Sequence, residues 1–284
     1  MSEKNENKVW FITGTSSGFG RALAEEVLAK GDEVVATARK PEVLQDLIAK
    51  YPDTARAVKL DVTNTEDAKN AISEAVKEFG RIDVLVNNAG YALVGAIEES
   101  SDEQIRRQFD TNFFGVLNVT RAALPVLREQ QSGHIVNIGS VVGISATPSM
   151  GIYSASKFAL EGLSEALAGE VAPFGVKTMI VEPGPYSTNG FESAAFAENP
   201  LPKAYPSIEQ LTETFEEFKS IAGDPVKAVR VIIGAVESEN PPFRLPLGLM
   251  AFETIEVKLE QVKQEISVWR ERAIETNFDT AATA

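Results

Sequence analysis

The chain has 284 residues, 44% hydrophobic and 24% charged, with a formal net charge of -14, an ordinary globular composition with apolar residues enough for a sizeable core. The negative charge opposes binding to nucleic acid or to an anionic membrane surface. With no cysteine and one histidine, His134, disulfides, thiolate metal sites and histidine-rich metal clusters are excluded.

The polar start, Met1 to Lys8, lacks the apolar core of a signal peptide, and no run nears the roughly 18 apolar residues of a membrane span, so a cytoplasmic protein is expected. Val9 to Thr13 reads as a first strand, a helix runs from about Gly20 to Lys30, and Glu33 to Ala38 is a second strand followed by another helical stretch. Apolar runs at Ala57 to Leu60, Val84 to Val86, Ile135 to Ile138 and Thr178 to Val181 each precede a segment of helical character. Strands apolar on both faces, alternating with helices, predict an α/β fold: a Rossmann-type, doubly wound parallel sheet. Pro185 to Ser207, rich in Pro, Ala, Asn and Ser, is too irregular for an element and reads as a lid. A helix from Pro225 to Glu237, an edge strand around Phe243 to Pro246 and a long helix follow. In that last helix Phe252, Ile255, Leu259, Val262, Ile266, Trp269 and Ala273 fall at alternating steps of three and four, a narrow stripe that packs either on its own domain, the favoured reading, or on another subunit.

Three motifs carry chemistry. Between the first strand and helix, Thr13-Gly14-Thr15-Ser16-Ser17-Gly18-Phe19-Gly20 provides three glycines where a backbone can approach a pyrophosphate at a helix N-terminus. Its spacing is not the Gly-x-Gly-x-x-Gly fingerprint, so position after the first strand gives it weight against an ordinary tight turn. The second strand ends in Arg39 and Lys40, with no carboxylate for a ribose 2'-hydroxyl. These cations suit a 2'-phosphate, favouring NADP(H) over NAD(H); solvated loop charges are the plainer alternative. Asp61 and Val62 follow the third strand, with Asp61 placed at the adenine or, less readily, capping the helix near Thr65. Asn88, Ala89 and Gly90 end the fourth, where the cofactor must lie flat. Tyr153 and Lys157, at i and i+4, project from one helical face; the ammonium should favour the phenolate and bring it within range of acid/base work, with the Ser140 hydroxyl nearby.

In this order, Thr13-Gly14-x-x-x-Gly18-x-Gly20, Asn87-Asn88-Ala89-Gly90, Ser140, Tyr153-x-x-x-Lys157 and Pro183-Gly184 resemble the short-chain dehydrogenase/reductase family over about residues 8 to 190. The resemblance implies one oxidoreductase domain with Ser140, Tyr153 and Lys157 catalytic, Asn112 as a fourth member, and Thr188 at the nicotinamide carboxamide, the last made less secure by the extra Pro185. Read from the residues alone, Asn112 is an amide on an apolar face with Phe109 and Val116, in need of a definite partner. Residues 1–7 are expected as a flexible N-terminus, 8–183 as the cofactor and catalytic core, 184–223 as the substrate lid and 224–284 as a terminal strand and helices. Tyr153, Lys157, Pro183 and Gly184 are expected to touch the cofactor as well. The implied activity is NADP(H)-dependent interconversion of a carbonyl and an alcohol, with an NAD-dependent alcohol dehydrogenase and a non-catalytic NADP sensor as alternatives. Phe191, Phe196, Leu201 and Tyr205 suggest a fairly apolar substrate unless they pack the lid itself. The family also implies a homodimer or homotetramer built from the helices containing Asn112 and Tyr153.

Overall fold

The computed structural model describes residues 7–188 and 194–276, except for the side chains of residues 208, 214, 215, 217, 218 and 220. The N-terminal stretch 1–6 and Phe191 of the lid therefore lie outside the described residues. The elements run in chain order as β1 (Val9–Ile12), α1 (Gly18–Lys30), β2 (Glu33–Ala38), α2 (Gln45–Lys50), β3 (Ala55–Lys59), α3 (Thr65–Phe79), β4 (Val84–Asn87), β5 (Leu93–Val94), α4 (Asp102–Phe109), α5 (Gly115–Gln130), β6 (Gly133–Ile138), α6 (Gly151–Val171), β7 (Val176–Pro183), β8 (Ala195–Phe196), α7 (Ile208–Ser220), α8 (Pro225–Glu237), β9 (Arg244–Leu247) and α9 (Leu249–Ile274).

Seven strands form one sheet in the order β3-β2-β1-β4-β6-β7-β9, every neighbouring pair parallel. β1 and β4 are buried throughout, as a strand covered on both faces requires. One face packs Trp10, Ile12, Val34 and Val86 against Leu23 and Val27 of α1 and Val229 and Ile232 of α8. The other packs Phe11, Val35, Leu85 and Ile135 against Ile72 of α3, Leu127 of α5 and Leu167 of α6. Each large side chain so enclosed contributes about 1.5–3 kcal/mol, and alternation of inward residues along each strand supplies both layers.

Strand order reverses between β1 and β4, which opens a crevice at their carboxyl ends. Outside the main sheet, β5 and β8 pair in parallel through Leu93–Ala195 and Val94–Phe196. The lid is thus more ordered than its composition suggests. It holds that strand and all of α7, whose start carries a reciprocal cap: Ser207 Oγ accepts from Gln210 N, and Gln210 Oε1 accepts from Ser207 N.

The last helix departs from the favoured expectation that it docks on its own domain. Ala251 is its one buried residue, Ile255 packs beside Val141 and Val142, and every residue from 263 to 276 is exposed. No helix of the described residues is long and apolar enough to cross a membrane.

Candidate active site

The crevice is a cavity of about 770 Å³ fed by the carboxyl ends of β1, β2, β4, β6 and β7. After β1, Gly14 and Gly18 hold left-handed backbone at φ +69° and +59°. A Cβ on Gly14 would stand 2.9 Å from the Ala89 Cα, so the turn tolerates neither the conformation nor the bulk of another residue. Thr13 Oγ1 ties this turn to the loop after β4 by accepting from the Asn88 and Ala89 amides, both at 2.9 Å, while Asn88 Nδ2 donates to the Thr13 and Gly14 carbonyls. Ser17 precedes α1 in extended backbone without a side-chain capping bond, which leaves the first amides of the helix untaken by a cap. Gly14, Ser16, Ser17, Gly18 and Phe19 line the cavity; Gly20 does not, and serves instead as the contact where α1 meets Asn88 and the Gly14 carbonyl.

Arg39, Asp61 and Val62 line the same cavity, whereas Lys40 is exposed outside its lining. The Asp61 carboxylate accepts from the Thr63 amide at 3.0 Å and hydroxyl at 2.8 Å. α3 is capped by Asn64, so the helix-cap role of Asp61 falls away. Asn88, Ala89, Gly90, Pro183, Gly184 and Thr188 complete the predicted cofactor lining. The left-handed glycines, uncapped helix start and guanidinium are a donor set that fits a dinucleotide.

Ser140, Tyr153 and Lys157 all line the same cavity. Ser140 follows β6, and the other two lie on α6 one turn apart. Ser140 lies beside Tyr153, where its hydroxyl favours the phenolate, and the Val142 amide donates to Ser140 Oγ at 3.3 Å. Lys157 Nζ donates to the Ile138 carbonyl at 2.6 Å and lies 5.8 Å from the centroid of the Tyr153 ring. The expected lowering of the phenol by Lys157 is not seen: burial pushes Tyr153 up and the nearby Ser140 hydroxyl only partly offsets it. Burial also brings the Lys157 ammonium down to about 8, with the Glu161 carboxylate opposing.

Asn112 sits behind this group in a π-helical turn, Asp110–Phe114, joining α4 to α5. It is fully buried and outside the cavity lining. Its Oδ1 accepts from Tyr91 N at 3.2 Å and its Nδ2 donates to Tyr91 O at 2.9 Å and to Ser156 Oγ at 3.3 Å. The partner expected for this amide is therefore the backbone of Tyr91, and Ser156 in turn donates to the Tyr153 carbonyl at 2.7 Å. One turn beyond Lys157, Glu161 accepts from Arg244 of β9 at 2.7 Å, and the same guanidinium lies 3.8 Å from the buried Glu182 of β7. Burial, then the nearby Glu182, raise Glu161 to about 7 against the pull of Arg244; Glu182 is likewise raised by burial.

Phe196, Leu201 and Tyr205 lie outside the lining, and the Tyr205 hydroxyl donates to Glu98 Oε2 at 2.8 Å. The apolar wall comes instead from Val141, Val142, Met150, Tyr186 and Met250. Met250 and Thr254 come from the start of α9, far along the chain, and no local motif marks them. Among the described residues no cluster of potential metal ligands occurs.

Residues 8–198 match the short chain dehydrogenase family. Oxidoreductase BOA17 of Botryotinia fuckeliana is 36% identical over 269 residues, covering 94% of this chain and 98% of that protein. The 3-ketodihydrosphingosine reductase of Bacteroides thetaiotaomicron is 38% identical over 243 residues, covering 85% and 88%. Among solved structures, a short-chain dehydrogenase from Streptomyces avermitilis superposes with a TM-score of 0.88 at 44% identity, covering 96% of this chain and 100% of that one. A Burkholderia phymatum short-chain dehydrogenase/reductase in complex with NAD gives 0.80 at 27% identity, with coverages of 91% and 95%. ElxO with NADP bound gives 0.71 at 28% identity, with coverages of 84% and 96%. With the doubly wound sheet and its crevice, these likenesses identify the chain as a member of the short-chain dehydrogenase/reductase family and an oxidoreductase of that type.

Proposed function

We propose that the chain interconverts a ketone or aldehyde and the corresponding alcohol with NADP(H), using Tyr153 as general acid and base. The observation that carries this reading is the convergence of Ser140, Tyr153 and Lys157 on the cavity that also holds Gly14, Gly18 and Arg39. The nicotinamide, when bound, supplies or takes the hydride; the chain handles the proton. In reduction the Tyr153 hydroxyl gives its proton to the carbonyl oxygen while the Ser140 hydroxyl donates a hydrogen bond to that oxygen as charge builds. A phenol raised by burial is held protonated at neutral pH, ready to donate. The Lys157 ammonium stabilises the phenolate left behind, and Asn112 supports the path by which it regains a proton.

Arg39 is the cavity cation suited to a 2'-phosphate, and the apolar wall of Val141, Val142, Met150 and Met250 suits a lipophilic substrate. The relative named as a 3-ketodihydrosphingosine reductase supports a ketone, while neighbours with NAD and with NADP support the cofactor class. The family's homodimer or homotetramer, a cytoplasmic setting and the absence of nucleic-acid or membrane partners belong to the same reading.

Absorbance at 340 nm with a panel of ketones and alcohols, and each cofactor pair supplied separately, tests it. Turnover with an NADP(H) preference is expected, and Arg39→Ala should raise KM for NADPH roughly tenfold while leaving that for NADH nearly unchanged. An NAD(H) preference overturns the Arg39 assignment, and where no turnover is seen cofactor binding separates an untested substrate from a misread nucleotide site.

A further inference from the structure

Apart from the cavity, the largest unexplained feature is α9. Its 26 residues span about 39 Å, and Phe252, Leu259, Ile266 and Trp269 are each at least half exposed. Four large apolar side chains on one stripe of one helix cost solvation unless something covers them. Alternating steps of three and four are the spacing of a coiled-coil seam, which a second helix of the same period can cover.

Charges beside the seam select that partner and its direction. Glu256 and Lys263 follow one edge of the stripe, and Lys258 and Glu265 the other. In a parallel pair, residues from opposite edges meet; Glu265 would face Arg270 of the partner subunit, but Lys258 would face Lys263 of the partner subunit, so attraction and repulsion cancel. Turning one helix end for end brings like edges together. With Leu259 against Val262 of the partner subunit, Glu256 meets Lys263 and Lys258 meets Glu265, each twice by symmetry. That register also sets Phe252 against Trp269, leaves Ile255 on its own domain beside Val141 and Val142, and has its centre beside Gln261, near the middle of the helix.

We propose that α9 is a self-association surface that pairs antiparallel with α9 of a second copy of this chain. The interface is distinct from the one the family places at the helices of Asn112 and Tyr153. It is isologous and closes on itself, so it yields a dimer, or joins two existing dimers, without propagating. The first turns of α9 also carry Met250 and Thr254 of the cavity wall, so pairing steadies a wall of the site from outside the domain.

Sedimentation of the full chain tests the surface. Leu259→Glu and Ile266→Glu alter exposed side chains, so circular dichroism and thermal unfolding should stay native while the particle mass falls by half. Native protein of unchanged mass overturns the proposal. Direction is read by crosslinking, because the chain has no cysteine of its own. Glu256→Cys and Lys263→Cys proteins should form a disulfide-linked dimer when mixed and none when oxidised separately; no crosslink in the mixture, or equal crosslinking of either alone, rejects the antiparallel register. Lys263→Glu should weaken association roughly tenfold, and Glu256→Lys with Lys263→Glu should restore it. A pair that fails to recover points to a different chain as occupant and removes the self-pairing claim.

Discussion

Helices α6 and α9 invert the usual distribution of side chains in opposite ways. α6 carries polar residues inward: Ser154, Ser156, Lys157, Glu161 and Ser164 are all buried. α9 carries apolar residues outward, with Leu259, Ile266 and Trp269 in water. Burying a charge and exposing a large apolar side chain are both costly, and each helix bears its cost where it meets something outside its own packing. Under the function and pairing proposed above, that is a reacting group beside Tyr153 and Lys157 for α6, and a second molecule for α9. A helix that obeys the rule, such as α8, with Val229, Ile232 and Ile233 inward and Arg230 outward, serves the core.

The sharpest way to break this contrast is Tyr153→Phe. It removes the transferable proton and leaves the ring, so turnover should fall about 10²- to 10⁴-fold while fluorescence titration shows NADPH still bound. Full activity would sink the assignment of Tyr153 as the proton donor. Stability separates the helices next. Leu160→Ala empties a fully buried site on α6 and should cost about 2–5 kcal/mol in urea unfolding, whereas Leu259→Ala on α9 should leave the dilute monomer within about 0.5 kcal/mol. Comparable losses would show that α9 packs on its own domain after all.

Two pH dependences sharpen the picture further. Burial lowers Lys157 to about 8, so the ammonium that stabilises the phenolate is lost as pH rises through that value. Reductive kcat should therefore decline on the alkaline side near pH 8. Glu161, raised to about 7 mainly by burial, holds a proton in the folded chain that the unfolded chain releases near its ordinary value of 4.5. Folding stability is thus lost as pH climbs between those values. Glu161→Gln keeps an acceptor for Arg244 and should raise the melting temperature at pH 8, by the equivalent of about 1–2 kcal/mol, with little change at pH 4. Equal effects at both pH values would point to packing instead of charge.

Local features were the legible ones. The order of apolar runs gave the parallel sheet, and residues confined to short motifs, from Gly14 to Gly18 and from Tyr153 to Lys157, converge as their spacing implied. Two kinds of information were not legible. Met250 and Thr254 reach the cavity only because β9 joins the sheet beside β7 and delivers α9 to its carboxyl edge, a consequence of tertiary packing. Tyr153's displacement upward depends on how deeply the ring is enclosed, which an i, i+4 spacing does not encode. The helix within the lid had a signal, the reciprocal Ser207–Gln210 cap, but the proline-rich run before it obscured the boundary. In α9 the stripe was plain, yet a hydrophobic period says only that a face wants cover and not which surface provides it.

Arg244 also imposes an order of events on the making of the protein. Glu161 and Glu182 are placed in the core by α6 and β7, but the guanidinium beside them arrives on β9, late in the chain. While a ribosome is still short of that strand, the nascent sheet holds two carboxyls without this guanidinium and an open edge along β7. The growing chain must leave that side loose or keep it protonated, and it closes only when β9 is delivered. Synthesis and the final locking of α6 are thereby tied together, since α6 carries Glu161 as well as Tyr153 and Lys157.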